Sequence, residues 1–245
     1  MSAVASAPFA ALAAHAEGLG LRLDPAQLTL CERYAAELIE RNTSVNLTAI
    51  TDPEAIATKH FLDSFTALAV RRWSGTERVV DVGSGAGFPG VALRVALPRV
   101  RLTCIESVGK KAAFIERTTA LLGLDDVELR HERSETLAHA AGLRAMFDVG
   151  TARAVGSLAT CAEYLLPLLR VGGDAIVWKG RIADELPAAR RALAALGGML
   201  VRIVPTAELG LADVLPGRNL VVMRKVRATA DRFPRPPAEA RRRPW

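Results

Sequence analysis

A glycine-rich run after a short apolar stretch carries the clearest chemical signal in this chain. It reads Val79-Val80-Asp81-Val82-Gly83-Ser84-Gly85-Ala86-Gly87-Phe88-Pro89-Gly90. The β-branched start favours a buried strand, and the alternating glycines favour a turn with positive φ angles and no Cβ atoms. A helix expected over about 88–97 would point its first N–H groups at the same place. The pattern therefore predicts a turn in which a nucleotide-sized ligand contacts bare backbone.

An acidic residue, Glu106, ends the next strand-like run, which spans about 100–106. A strand, a helix and a second strand form a right-handed parallel unit, so Glu106 should lie beside the glycine turn. A carboxylate at that edge accepts the hydroxyls of a ribose, in hydrogen bonds worth about 1.5–3 kcal/mol each. We therefore expect Glu106 to orient a nucleoside, while a solvated acid at a strand end is the simpler interpretation.

Two cofactor classes fit these residues. The glycines of 85–90 match the dinucleotide fingerprint G-x-G-x-x-G, and Glu106 follows at about 20 residues, which predicts an NAD(P)-dependent oxidoreductase. Asp81 argues against that class, because its carboxylate would repel a pyrophosphate and attract an ammonium group. S-adenosyl-L-methionine carries such an ammonium group. With the glycines counted from Gly83, the turn favours a sulfonium cofactor.

Length and composition limit the class of protein. The 245 residues are 50% hydrophobic, enough for one large core or for one core and a small cap. No apolar run reaches the roughly 18 residues of a membrane helix, and Met1–Ala14 lacks the basic start of a signal peptide. We therefore expect a cytoplasmic protein without membrane contact. Cys31, Cys104 and Cys161 are widely separated and predict neither disulfides nor a metal site.

The positive charge is concentrated in the last residues. The formal net charge is +6, and residues 225–245 contain seven basic and two acidic residues, so five of the six charges lie there. Residues 233–245 are also rich in proline, which favours an extended arm over a packed element. Basic arms of this kind commonly follow phosphates, although a solvated terminus explains the charge equally well.

Helical patterns come first and alternating patterns follow. Helices are expected over 9–19, over 25–41 with Asp24 as the N-cap, and over 51–71. The expected strands are 78–82, 100–106, 126–130, 147–151, 174–178, 199–204 and 218–224. The helices between them are 88–97, 109–122, 135–142, 157–170 and 182–196. No long helix separates the last two strands, so the last should pair antiparallel.

These elements predict an α/β fold, a doubly wound, seven-stranded and mostly parallel sheet with an N-terminal helical cap. The expected division is a cap over 1–73, a ligand-binding domain over 74–226 and a basic arm over 227–245.

Several short motifs occur together in a consistent order. They are Arg41-Asn42-x-x-x-Asn46-Leu47-Thr48, His60-Phe-Leu-Asp63-Ser64, the glycine run, Glu106-Ser-Val-Gly109-Lys110-Lys111, Ala152-Arg153-Ala154, Lys179-Gly180 and Arg218-Asn-Leu-Val-Val. Over roughly 25–240 the chain resembles the bacterial small-subunit rRNA methyltransferase G family, also called glucose-inhibited division protein B. The resemblance implies methylation, dependent on S-adenosylmethionine, of guanine N7 in the decoding region of 16S rRNA. Its implied partner is 16S rRNA in the 30S subunit or an assembly intermediate. We expect the protein itself to be a monomer.

The residues and the resemblance together define an expected site. The expected cofactor-binding residues are Asp81, Gly83, Gly85, Phe88, Glu106, Ser134, Glu135 and Arg153. The expected RNA-contacting residues are Asn46, His60, Asp63, Lys110, Lys111, Lys179 and Arg218. Arg153 and Lys179 are also the candidates for positioning the reacting groups. Structural roles compete with several of these assignments: Asn46, His60 and Asp63 could tie the cap to the sheet, and Ser134 could cap a helix.

The motifs that the chain lacks bear on the chemistry. Methylation of an exocyclic base amine commonly uses an Asn/Asp-Pro-Pro-aromatic motif after the fourth strand, where this chain has Asp148-Val-Gly-Thr-Ala-Arg153. Methylation of pyrimidine C5 needs a cysteine nucleophile in a Pro-Cys motif. Guanine N7 needs neither, because its lone pair attacks directly and no proton leaves. We therefore expect no general base. An NAD(P)-dependent oxidoreductase and a non-catalytic RNA-binding protein are the alternatives.

Overall fold

Seven strands form a single sheet in the computed structural model, which describes residues 5–140 and 142–245. The strands are β1 (Arg78–Val82), β2 (Arg101–Ile105), β3 (Val127–Arg130), β4 (Phe147–Arg153), β5 (Leu169–Lys179), β6 (Gly198–Pro205) and β7 (Asn219–Lys225). Their order across the sheet is β3-β2-β1-β4-β5-β7-β6. The pairs among β1 to β5 are parallel, and β7 runs antiparallel to both β5 and β6. The expected α/β sheet, with its reversed last strand, is confirmed.

The register brings the carboxyl ends of three neighbouring strands together. Val82, the last residue of β1, lies opposite Ile105 of β2 and Ala152 of β4. Segments that leave these ends therefore converge at one edge of the sheet, where ligands bind in open α/β folds.

Helices cover both faces of the sheet. They are α1 (Ala7–Gly18), α2 (Pro25–Asn42), α3 (Pro53–Ile56), α4 (Asp63–Phe65), α5 (Gly90–Ala96), α6 (Gly109–Leu122), α7 (Ser134–Leu137), α8 (Leu158–Leu165), α9 (Leu186–Leu196) and α10 (Pro237–Arg242). One core packs α1, α2, α5 and α6 against residues such as Val79, and the other packs α8 and α9 against residues such as Val80. Within the described ranges, no helix is long and apolar enough to cross a membrane.

The helical cap shares its core with the sheet. Asp24 and Gln27 form a capping box at the start of α2, as the Asp24-Pro25 signal predicts. The amide of Gln27 also donates hydrogen bonds to the carbonyls of Val95 and Ala96 at the end of α5. The cap is thus joined to α5 by side-chain hydrogen bonds as well as by packing. The boundary at 73–74 stays a prediction, and residues 1–4 lie outside the described part.

The helix expected over 51–71 is broken. Residues 53–69 contain two short α-helices separated by a wider π-helical turn, and they end in a tight 3-10 turn. The indole N–H of Trp178 donates to the carbonyl of Asp63 at 2.7 Å, and the hydroxyl of Thr66 donates to the same carbonyl. In a regular helix the Asp63 carbonyl would accept a backbone N–H one turn later, but here it accepts these two side-chain donors. Contacts with the sheet therefore override local helix propensity.

Two other helices are shorter than expected. The helix over 157–170 stops at Leu165, because Pro167 cannot continue it, and β5 already begins at Leu169. The helix expected over 135–142 spans only Ser134–Leu137, and residue 141 of that prediction lies outside the described part.

The C-terminal residues are packed, which corrects the expectation of an extended arm. Phe233 and Arg235 are buried, and α10 follows them. The carboxylate of Glu163 on α8 accepts a hydrogen bond from the Arg235 guanidinium at 2.7 Å. Proline and arginine content alone favoured an extended chain, but a buried carboxylate 72 residues earlier provides the anchor.

Candidate functional site

Two adjacent cavities open at the carboxyl ends of β1, β2, β4 and β5. The first encloses about 330 Å³ against the glycine turn, and the second encloses about 460 Å³ beside the end of β5. The first is lined by Leu47, Thr48, His60, Gly83, Ser84, Gly85, Ala86, Phe88, Glu106, Lys111, Arg153, Ala154 and Val155. The second is lined by Ile50, Lys59, His60, Arg153, Ala154, Gly156, Cys161, Trp178, Lys179, Gly180 and Arg218. His60, Arg153 and Ala154 belong to both linings and form a shared wall.

The glycine turn forms one side of the first cavity with bare backbone. Gly83, Gly85 and Gly87 have φ angles of 67°, 60° and 86°, a region that favours glycine. A Cβ atom on Gly83 would lie 2.7 Å from a methyl group of Val155, which lines the same cavity, whereas the nearest atom to a Cβ on Gly85 is 3.9 Å away. A side chain at Gly83 would therefore displace Val155, and the open space beside Gly85 fits a small nucleoside cofactor.

Glu106 is held beside the glycine turn in this cavity. One carboxylate oxygen accepts the N–H of Gly85 at 2.8 Å, and the other accepts the N–H of Val108 at 2.8 Å. An ionised carboxylate has about four acceptor positions, so each oxygen keeps one for a further donor. The side chain is oriented by the turn itself and can accept hydroxyl groups from a ribose.

Asp81 lies beneath the turn, outside the cavity lining, which differs from the expected contact with an ammonium group. Its fully buried carboxylate accepts the Thr151 hydroxyl at 2.7 Å and the N–H of Gly90 at 3.1 Å. Burial raises the pKa of Asp81 to about 6, and the hydrogen bonds from Thr151 and Gly90 oppose that rise. Asp81 therefore fixes the start of α5 against β1 and β4.

An aromatic stack supports the shared wall. The Phe88 ring stacks between those of Tyr34 and His60, each with a centroid distance of 4.8 Å. Phe88 is buried in the core and also lines the first cavity, where the sequence predicts a cofactor-binding residue.

His60 is held as a neutral donor and acceptor. Arg153 Nη2 approaches Nδ1 at 3.3 Å, so Nδ1 accepts, and Nε2 carries the proton toward the Thr48 hydroxyl at 3.0 Å. Burial lowers the pKa of His60 to about 4, with the neighbouring Arg153 charge adding to the effect. His60 is therefore uncharged at neutral pH, and both ring nitrogens are occupied.

Asp63 holds two arginines from beneath and lines neither cavity. Its carboxylate accepts Arg153 Nη1 at 2.8 Å and Arg218 Nε at 3.0 Å, and the Asp63 side chain is 0% exposed. Both guanidinium groups line the second cavity. The expected direct contact of Asp63 with RNA is replaced by a positioning role that joins the cap, β4 and the start of β7.

Lys179 projects from the end of β5 into the second cavity. Its ammonium donates to the Gly156 carbonyl at 2.9 Å and pairs with Glu185 at 2.7 Å. The side chain is 14% exposed, so these partners fix a cation at the cavity surface.

Four other expected residues lie outside both linings. Asn46 and Lys110 are exposed, whereas Lys111, one residue further, lines the first cavity. Ser134 begins α7 without capping it, and Glu135 accepts the Tyr164 hydroxyl at 3.0 Å.

Sequence reasoning missed three residues that build the site. Tyr34 and Thr48 support the stack and His60, and Trp178 holds the broken helix. Thr48 lies within the motif Asn46-Leu47-Thr48, and Trp178 directly precedes the motif Lys179-Gly180. These positions are the sequence signal that could have identified the two residues. Tyr34 has no such marker and reads as an ordinary core residue of α2.

Comparison with solved structures establishes the fold. A mutant of MtNAS in complex with S-adenosylmethionine superposes with a TM-score of 0.54 at 16% identity, covering 89% of this chain and 78% of that one. The [4+2]-cyclase SpnF gives a TM-score of 0.54 at 16% identity, covering 84% and 98%. At these identities the likeness extends to the fold alone, which hosts several chemistries.

Sequence relatives are much closer. Residues 27–210 match the family model GidB, described as rRNA small subunit methyltransferase G. The ribosomal RNA small subunit methyltransferase G of Roseiflexus sp. (strain RS-1) is 45% identical over 230 residues, which cover 94% of this chain and 96% of the relative. The protein of the same name from Halalkalibacterium halodurans is 38% identical over 229 residues, covering 93% and 95%.

The fold, the bare glycine turn with Glu106 and these relatives define a class I methyltransferase that uses S-adenosylmethionine. Within that class, the chain belongs to the rRNA small subunit methyltransferase G family. The family resemblance expected from the motifs is confirmed. The NAD(P)-dependent oxidoreductase and the non-catalytic RNA-binding protein are thereby excluded.

Proposed function

We propose that this protein methylates N7 of a guanine in the 16S rRNA of the small ribosomal subunit. The observation that carries the proposal is the shared wall of His60, Arg153 and Ala154 between the two cavities. A methyl donor in the first cavity and a base in the second would meet beside this wall. S-adenosylmethionine supplies the reaction with a methyl group on a positively charged sulfur.

The first cavity supports donor binding by shape and hydrogen bonding. The open space beside Gly85 leaves room for the cofactor, and Glu106 accepts its ribose hydroxyls. His60 and Arg153 close the side that faces the second cavity. Ala154 has a φ of 59°, unusual for a residue other than glycine, and such backbone strain often occurs where a ligand contacts the chain.

The lining of the second cavity favours N7 over other acceptor atoms. Among the described residues that line it, none is an aspartate or a glutamate. Both nitrogens of His60 are engaged, and burial raises the pKa of the Cys161 thiol to about 12. A general base and a thiolate nucleophile are therefore both missing from this lining. Guanine N7 requires neither, because it has a lone pair and loses no proton.

The cations of this lining suit an RNA substrate. Lys59, Lys179, Arg153 and Arg218 all border the second cavity. Guanidinium and ammonium groups bind phosphates and the O6 atom of guanine, which lies next to N7. N7 is unreachable in the deep major groove of A-form RNA, so the target guanine must be extruded or lie in a loop.

The test incubates the full chain with methyl-labelled S-adenosylmethionine and small ribosomal subunits that lack the modification. Nuclease digestion and mass spectrometry then locate the label. We expect label on guanine N7, strongly reduced for Arg153→Gln and unchanged for Arg72→Gln, a substitution at an exposed arginine outside both cavities. Label on an exocyclic amine or on a pyrimidine carbon would refute the N7 assignment.

We also propose that the protein acts as a monomer in the cytoplasm. One chain supplies all the residues that line the two cavities, so the site needs no second copy.

A further inference from the structure

The C-terminal segment 227–245, here called the tail, is anchored on a single buried carboxylate. Glu163 of α8 accepts the Arg235 side chain through Nε at 2.8 Å and through Nη2 at 2.7 Å. It also accepts the backbone N–H of Arg235 at 2.8 Å and the indole N–H of Trp245 at 2.6 Å. Paired, charge-assisted hydrogen bonds of this kind fix both distance and orientation. Arg235 and Trp245, the two ends of the last eleven residues, are therefore held by the same Glu163 carboxylate.

A second clamp holds the beginning of the tail. The guanidinium of Arg144 donates to the carbonyls of Thr229, Ala230 and Phe233. The Phe233 side chain is buried in the core on the α8 face of the sheet, with Trp245 packed against its ring at a centroid distance of 5.7 Å. The tail is consequently an element of the fold with a defined path.

Anchoring divides the tail arginines into two groups. Arg235 is buried and pairs with Glu163, whereas Arg227, Arg232, Arg241, Arg242 and Arg243 are exposed. In the described part of the chain, Arg241, Arg242 and Arg243 have no carboxylate within 4.0 Å. Three consecutive guanidinium groups thus stand in solvent at a fixed place.

That place adjoins the second cavity. Ser157 and Thr160 of the α8 end line a groove of about 300 Å³ together with Ala240 and Trp245 of the tail. Their neighbours Gly156 and Cys161 line the second cavity. Asp184 and Glu185 border the groove, and Glu185 pairs with Lys179 of that cavity at 2.7 Å. The last residues of the tail therefore line a groove that adjoins the second cavity.

We propose that the folded tail is a docking surface for the phosphates of the RNA strand that flanks the target base, with Arg241, Arg242 and Arg243 as its contacts. The proposal rests on the proposed function, which places the target base in the second cavity. Arginines bind phosphates strongly, and held arginines lose less conformational freedom on binding than those of a free arm. The family model ends at residue 210, so this surface lies outside the part of the chain that it matches.

The test measures equilibrium binding of the full chain to 16S rRNA, without cofactor, over a range of salt concentrations. The triple variant R241Q/R242Q/R243Q should bind about tenfold more weakly, with a slope of log K against log salt reduced by about 2, because each lost phosphate contact removes about 0.7. The matched control R72Q/R99Q/R101Q removes three other exposed arginines, two of them near the start of β2 and opposite the cavities. An unchanged slope for the tail variant, or equal loss in the control, would overturn the proposal.

Glu163→Gln tests whether the position of the arginines matters. This variant raises the net charge of the protein by one. If RNA binding depended only on the total positive charge, and not on where the arginines lie, the variant would bind RNA more tightly. Loss of the anchor should instead weaken RNA binding severalfold and expose the tail to trypsin at Arg235, with the thermal stability of the remaining fold as the control for folding. Tighter binding by Glu163→Gln would contradict a fixed docking surface.

Methyl transfer to small subunits is measured in parallel. If the wild-type chain transferred no methyl group, the proposed function would fail, while the salt slopes would still decide the role of the tail.

Discussion

The hydroxyl of Tyr34 in the helical cap donates a hydrogen bond to the carbonyl of Ala86 in the glycine turn, 52 residues later. The Tyr34 ring also stacks on Phe88, so one cap residue supports the turn through its ring and through its hydroxyl. The conformation of the cofactor turn therefore depends on the cap, although the turn was recognisable without it.

Tyr34→Phe should weaken binding of S-adenosylhomocysteine by about fivefold, because a buried hydrogen bond of about 1 kcal/mol is lost and the Ala86 carbonyl has no replacement donor. Calorimetric titration measures this dissociation constant. Arg33→Gln is the control, since Arg33 on the same helix donates to the Leu121 carbonyl, away from the turn. Equal weakening by both variants would mean that the cap acts through global stability only.

Glu106→Gln should raise the dissociation constant for S-adenosylhomocysteine about ten- to hundredfold, since charged hydrogen bonds to the ribose are worth about 1.5–3 kcal/mol. Asp81→Asn is the informative contrast. Asp81 is buried and bonded to Thr151 and Gly90, so this variant should mainly lower the melting temperature. If ligand affinity falls more for Asp81→Asn than for Glu106→Gln, the assignment of the two carboxylates is reversed.

Lys179→Ala should reduce methyl transfer to rRNA while leaving the dissociation constant for the cofactor nearly unchanged, because Lys179 lines only the second cavity. Steady-state kinetics with small subunits and cofactor titration give the two quantities. Glu185→Gln keeps the lysine but removes its ion pair, so it should cost less activity than Lys179→Ala. A matching loss of cofactor affinity in Lys179→Ala would exclude the proposed role.

His60 should make stability depend on pH. The folded pKa is about 4 against 6.5 for an unperturbed histidine, so the unfolded chain binds more protons between these values. The contribution of His60 is thus complete above pH 6.5 and is lost as pH falls toward 4. We expect the difference in free energy of unfolding between wild type and His60→Gln to shrink by on the order of 3 kcal/mol across this window.

Urea unfolding of both proteins at several pH values measures the difference. Asp81, whose pKa is raised, produces a trend of opposite sign, but that trend is common to both proteins and cancels. A difference that stays constant from pH 7 to about 4 would show that His60 is not buried in its neutral form.

The sheet was predictable because apolar periodicity and glycine placement are local signals. The reversed last strand followed from connection lengths, and the turn with Glu106 followed from residue types, whereas the strand order across the sheet came from the structure. The roles of the two acidic residues at this edge depend on burial, which the sequence does not show. Asp81 and Glu106 are both acids at strand ends, but only the structure separates the carboxylate beneath the turn from the one facing the cavity.

The broken helix and the folded tail depended on distant partners. Trp178 captures the Asp63 carbonyl from 115 residues away, and Glu163 anchors Arg235 across 72 residues. No local pattern in 51–71 or in 233–245 contains these partners, so propensity and composition led to a continuous helix and an extended arm.

The reversed direction of β7 has a consequence for the order in which the site is completed during synthesis. A strand that runs against its neighbours presents its beginning at the edge where they end, and Asn219 therefore pairs with Lys179. Arg218 reaches Asp63 from this position, 155 residues later in the chain. A nascent chain has every lining residue of the first cavity once residue 155 is made, but the second cavity awaits residue 218. The lining of the first cavity is thus complete in sequence before β5 begins, whereas the lining of the second cavity requires all but the last strand of the sheet.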